Sequence, residues 1–177
     1  DADRNAVSFI NSNYAGIGSG VVVREWGIAL QNRGALFTTE PGHPNTLEPL
    51  KRPFHTIIPA MAFRHGRPWL SFGVMGGYMQ PQGHVQVLTN LVDFGMDPQQ
   101  SLDAPRWQVD PLTGRVLLEP GLGYLASALD RLGHAIAVTE AEASAQFGGG
   151  QVILIDPETN MLHAGSDPRK DGCAVGY

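Results

Sequence analysis

The sequence is short of charge, of cysteine and of long apolar runs, and each shortage excludes a class of protein. Asp, Glu, Lys and Arg make up 16% of the 177 residues, and the net charge is −5. A coiled coil, a disordered tail or a highly charged adaptor carries far more charge. A negative balance also argues against a nucleic-acid partner or a polybasic membrane-surface module. The single cysteine, Cys173, allows neither an intrachain disulfide framework nor a cysteine-built zinc site. No apolar run approaches the roughly 18–20 residues that span a bilayer, so no membrane partner is expected. The start, Asp1-Ala2-Asp3-Arg4-Asn5, has no basic or apolar leader character; trimming and proteolytic maturation both fit it. Localisation stays open between cytoplasm and periplasm.

What is plentiful is glycine and proline, 22 and 13 residues or about a fifth of the chain, beside 42% hydrophobic residues. That length and composition predict one domain, 1–177, with one sizeable core. Residues 6–11 read as a strand, with Val7 and Phe9 on one face. A glycine-spaced loop over 14–20 follows, then short strands at 21–23 and 27–31. Residues 38–53 form a long excursion in which Pro41, Pro44, Pro49 and Pro53 disfavour regular structure. A hairpin is expected from 56–64 and 69–74 around a turn at His65-Gly66-Arg67-Pro68. Val85, Val87, Leu88, Leu91 and Val92 have helical spacing. Asp97-Pro98 opens a second helix, with an Asp cap and Pro at the first position. A strand at 115–119, a helix over 122–132, a strand at 136–139 and a last strand pair at 151–155 and 161–165 complete an α+β pattern rather than a strictly alternating one.

The chemistry-bearing residues are few. The six histidines, His43, His55, His65, His84, His134 and His163, never pair at i, i+4, and neither a metal nor a cofactor is expected. His84 reads as a satisfied or surface histidine. His55 stands where the long loop enters an apolar strand, a place where ligands are often met. Gly16, Gly18 and Gly20 are followed by a strand and not a helix, which fails the dinucleotide pattern. Gly76-Gly77, between a strand and a helix, leaves backbone N–H groups suited to an oxyanion or carboxylate; a tight turn with no chemistry is the alternative. Gly148-Gly149-Gly150 reads as conformational. Ser12 either orients a nucleophile or makes a turn hydrogen bond. Asp167-Pro168-Arg169 suggests an ion pair supporting the C-terminal segment. No convincing nucleophile is present.

Read together, Asp1-x-x-Arg4-Asn5-Ala6-Val7-Ser8, Gly18-Ser19-Gly20, Leu30-Gln31-Asn32, Lys51-Arg52-Pro53, Pro59, Gly76-Gly77, Asp103-Ala104-Pro105-Arg106, Gly165-Ser166-Asp167-Pro168-Arg169 and Gly176-Tyr177 resemble the small subunit of the gamma-glutamyltransferase family of N-terminal nucleophile hydrolases. The resemblance implies a four-layer αββα sandwich, to which this chain supplies the small-subunit part, made by self-cleavage of a precursor. It implies a large subunit from the same precursor as partner, a small-molecule amide as substrate, and an arrangement that extends to a dimer of heterodimers. The family nucleophile is a threonine freed by that cleavage; here it would lie a few residues before Asp1, with its own α-amine as base. Ser12 matches the residue that hydrogen-bonds this threonine, and Gly76 and Gly77 match the oxyanion-hole pair.

Departures fall at the positions that recognise a γ-glutamyl group. Tyr14, Arg33, Leu36 and the pair His55-Thr56 stand where the family uses acids, amides and a Ser-Ser pair. Leu36 removes the counter-charge for a ligand ammonium, and Arg33 adds a positive charge. The lid-like segment between Phe37 and Lys51 is shortened. These changes resemble acylase-like and oxamate-type relatives and imply an anionic acyl group without an α-amine, held by Tyr14, Arg33, His55 and Thr56. Glutathione hydrolysis or transpeptidation, and a non-catalytic binding homologue, are the alternative readings.

Overall fold

A computed structural model describes residue 1 and residues 3–176, without the side chains of residues 142–144; Tyr177, the last residue of the resemblance, lies outside them. The chain forms two units, one of residues 10–57 and one of residues 1–9 with 58–177.

In the smaller unit, β1 (Val22–Val23) pairs antiparallel with β2 (Ile28–Ala29). A 3-10 turn, Arg33–Leu36, follows. The proline-bearing excursion is irregular as expected, with one isolated bridge between Thr38 and Thr46.

The larger unit is built on a four-stranded antiparallel sheet in the order β3-β4-β8-β9. Its strands are β3 (Ala60–Arg64), β4 (Arg67–Met75), β8 (Gly149–Ile155) and β9 (Leu162–Ser166). The expected hairpin is present, but its turn is tighter than the sequence suggested. His65 and Gly66 alone make it, both at positive φ (53° and 76°), which matches the strand twist as a two-residue turn. Pro68 therefore sits inside β4, opposite Phe63, where the register shifts; a residue without an N–H is tolerated at such an irregularity.

Helix α1 (Met79–Val92) begins just after the glycine pair. It presses on β4 so closely that a Cβ at Gly83 would stand 2.6 Å from Val74 Cγ1. The short helix α2 (Pro98–Asp103) has the expected Asp97 cap: Asp97 Oδ1 accepts from Gln100 N at 2.8 Å, and Gln100 Oε1 accepts in return from Asp97 N at 3.1 Å. Leu70, Phe72 and Val74 of β4, Val152 of β8, Val87 and Leu91 of α1 and Leu102 of α2 form the core. His84 of α1 is buried, its ring nitrogens 2.6 Å from the Gln80 carbonyl and 2.8 Å from that of Ile58.

A second sheet joins β5 (Trp107–Val109), β6 (Val116–Leu118) and β7 (Ile136–Val138), with β6 and β7 parallel. Two corrections apply. Residues 122–132 are helical only in part, a 3-10 segment Pro120–Leu125 leading into α3 (Ala126–Arg131). Residues 6–11 form no strand: Val7 and Phe9 face outward, 75% and 81% exposed, and the segment is tied instead through Ser8. The Ser8 hydroxyl donates to the Phe72 carbonyl at 3.1 Å and accepts from Ala60 N at 3.2 Å.

Candidate functional site

The strand-to-helix junction after β4 is a tight glycine turn. Gly76 has φ +134° and Gly77 φ +58°, backbone that L side chains rarely adopt. Their carbonyls accept from Met79 N and Gln80 N, at 3.0 and 3.1 Å, and so start α1. Both residues are exposed, and among the described residues neither N–H finds an acceptor. Two free N–H groups at a helix N-terminus form an electropositive spot that accepts a developing negative oxygen.

In the smaller unit, Ser12, Tyr14 and Thr56 gather on the Arg33 guanidinium. Arg33 is only 6% exposed. Its Nη2 donates to Ser12 Oγ at 3.3 Å and its Nε to Thr56 Oγ1 at 3.4 Å. Its Cζ lies 5.8 Å from the centre of the Tyr14 ring, within cation–π range. Among the described residues no carboxylate pairs with it. Ser12 Oγ also accepts from Tyr14 N at 3.0 Å, so the turn reading of this hydroxyl holds as well. His55 is exposed and its Nδ1 accepts from Ile57 N at 3.1 Å; it makes no hydrogen bond to Arg33.

Asn32 holds these loops in register. Its side-chain oxygen accepts from Ala15 N at 3.0 Å, and its amide donates to the carbonyls of Ala15 and Gly18 at 3.1 and 3.0 Å. Residue chemistry alone assigns Asn32 no role; the signal for it is its place at the end of the Leu30-Gln31-Asn32 stretch, next to Arg33.

The Asp167–Arg169 segment carries more than the expected ion pair. Arg169 reaches Glu119 Oε1 at 2.7 Å and Asp167 Oδ1 at 3.1 Å, while Arg106 Nη2 meets Asp167 Oδ2 at 2.6 Å. Burial alone would push the Asp167 carboxyl up. The Arg106 charge and the N–H groups of Arg169 and Gly150 outweigh it and hold the group below the usual carboxylate range. Burial, the largest influence on Arg106, lowers its affinity for its proton despite Asp167. Among the described residues no group of three or more His, Cys, Asp or Glu side chains is placed to hold a metal ion, and no helix is long and apolar enough to cross a membrane.

The family model described as gamma-glutamyltranspeptidase matches residues 1–177. A glutathione hydrolase-like proenzyme of Bacillus subtilis is 41% identical over 99% of this chain and 34% of its own length. The crystal structure of a cephalosporin acylase from Bacillus halodurans superposes with a TM-score of 0.88 at 50% identity, over 94% of this chain and 31% of that one. A gamma-glutamyltranspeptidase chain from Pseudomonas nitroreducens matches with a TM-score of 0.86 at 27% identity, over 100% of this chain and 96% of that chain. The chain thus spans about a third of the length of the curated relatives it matches.

Proposed function

Because the chain belongs to the gamma-glutamyltranspeptidase family, we propose that residues 1–177 are the C-terminal small subunit of a self-cleaved precursor that hydrolyses the amide bond of an anionic N-acyl substrate. The partner is the large subunit from the same precursor, and the assembled fold is a four-layer αββα sandwich. The proenzyme character of the Bacillus subtilis relative supports the cleavage. The near-complete coverage of the Pseudomonas nitroreducens chain supports the small-subunit assignment. For the layers, one face of the four-stranded sheet is covered by α1 and α2, while Ile153 on the other face is 43% exposed, as a sheet awaiting a second layer requires.

The chemistry follows from a threonine preceding Asp1. Its hydroxyl oxygen attacks the amide carbonyl carbon while its α-amine takes the hydroxyl proton. The carbonyl oxygen becomes an oxyanion and accepts from the Gly76 and Gly77 N–H groups. The C–N bond breaks, the proton passes to the departing amine, and an ester to threonine remains. Water then attacks that ester, freeing the acid and restoring the threonine. Ser12 orients the threonine hydroxyl. Arg33 takes the carboxylate at the far end of the acyl group, with Tyr14, His55 and Thr56 shaping the pocket.

The observation that carries this reading is the buried Arg33 guanidinium with no carboxylate among the described residues. An unpaired buried cation costs several kcal/mol, and a substrate carboxylate offsets that cost through charge-assisted hydrogen bonds. The whole enzyme should therefore cleave glutaryl-anilide in preference to γ-glutamyl-anilide. The reverse preference would overturn the acylase reading in favour of glutathione hydrolysis, which the Bacillus subtilis relative's name supports. Intact masses and N-terminal sequences of both chains separate an enzyme from a non-catalytic homologue, which would show no threonine at the cleavage point.

A further inference from the structure

Two consecutive glycines are the least constrained backbone a protein can place at a reaction centre. Donors misplaced by about an ångström lose much of their value in the transition state. The Gly76-Gly77 carbonyls are tied to α1, but among the described residues the N–H side of the turn has no hydrogen bond of its own. What bears on it is the start of β8. Met75 pairs with Gly149, and a Cβ placed on Gly76 would lie 2.8 Å from Gly148 Cα. A Cβ placed on Gly148 would run into the Met75 carbonyl oxygen and come within 3.2 Å of Val74 Cγ1. Backbone meets backbone here, so Gly148 acts as a stop behind the turn.

That stop is held at both ends by one ion pair. The carbonyl of Phe147, a residue with no exposed surface, accepts from Arg106 Nη1 at 3.1 Å. Three residues further on, Gly150 N donates to Asp167 Oδ2 at 2.7 Å, the same oxygen that Arg106 Nη2 reaches at 2.6 Å. Gly148 lies between these two attachments.

We infer that Gly148, anchored by Arg106 through the Phe147 carbonyl, is the positioning residue that sets the Gly76-Gly77 turn in its oxyanion-binding geometry. The inference rests on the oxyanion role proposed above. Gly148 touches no reacting atom; it acts through the turn.

The test uses the processed whole enzyme and two variants. Gly148→Ala pushes a methyl into Met75. Arg106→Lys keeps a cation beside Asp167 but loses the second bond, to Phe147. In both, kcat should fall about 10- to 100-fold with KM within about twofold, the pattern of an interaction made only in the transition state. Affinity for a boronic acid analogue of the substrate, whose tetrahedral adduct carries the oxyanion, should fall in step with kcat. Amide hydrogen exchange over residues 75–78 should speed up in both variants. Unchanged exchange there, or a rise in KM at constant kcat, would overturn the inference, as would failure of both variants to fold, which reduces the contact to a folding requirement. If the wild-type enzyme hydrolyses no amide, the exchange measurement still decides the coupling, and the proposed function alone fails.

Discussion

Arg106 and Asp167, 61 residues apart, meet at 2.6 Å with 2% and none of their side chains in contact with solvent. Removing one partner of such a pair leaves an uncompensated buried charge. Asp167→Asn should therefore lower unfolding stability by about 3–5 kcal/mol, read as a shift of the urea midpoint at constant slope. A loss below about 1 kcal/mol would mean that Arg169 and Glu119 carry the network without it.

The same carboxylate sets a pH dependence. Its folded pKa lies below its ordinary value, so its contribution is fully present above the unfolded carboxylate pKa and disappears as pH falls through the folded one. Urea midpoints measured from neutral pH down through the carboxylate range should decline, with a shallower decline in Asp167→Asn. Parallel curves would assign the acid sensitivity to other groups.

At the proposed acyl pocket, Arg33→Leu should reduce kcat/KM for glutaryl-anilide by about 10- to 100-fold, the value of a hydrogen bond to a charged group. The effect on a neutral acyl-anilide should be small. Equal losses on both substrates would remove Arg33 from carboxylate recognition.

At the glycine turn, Gly76→Ala places a methyl 2.8 Å from Gly148 Cα at a φ that alanine resists. Losing a correctly aimed oxyanion donor costs about 100- to 1,000-fold in kcat. Single-turnover kinetics should show that loss in acyl-enzyme formation; a normal acylation rate would place the oxyanion elsewhere.

Helix α2 supplies a test at a residue outside the proposed site. Asp97→Ala removes one half of the capping box and should cost about 0.5–2 kcal/mol, visible in thermal unfolding without changing kcat.

Much of the fold was legible because its signals are local. Asp97-Pro98 announces a helix start within four residues, the apolar run Val152-Ile153-Leu154-Ile155 announces β8, and Gly76-Gly77 falls between a strand and a helix as the pattern required. What was not legible depends on distant partners. Residues 6–11 alternate as a strand would, but Val7 and Phe9 face outward and the inward-facing Ser8 makes the connection. Nothing in the Trp107–Val109 stretch foretells that its pairing partner β6 also holds a parallel strand. Arg33 stands out in the sequence as an added positive charge, but its burial depends on the loops bearing Ser12 and Thr56, 21 and 23 residues away. The chemistry of Gly76-Gly77 was visible, whereas the Gly148 contact behind it lies about seventy residues further along the chain.

Ser8 has a consequence for the order in which the protein assembles. Its hydroxyl spans the Ala60–Phe72 pair from 52 and 64 residues away, whereas the β3–β4 hairpin closes over two residues. A short loop forms far sooner than one of some fifty residues, whose closure entropy must be met before the contact returns anything. The hairpin is therefore a completed platform when Ser8 arrives. The Ser8 junction is a late event in folding, and Ser8→Ala should speed unfolding while leaving the folding rate nearly unchanged.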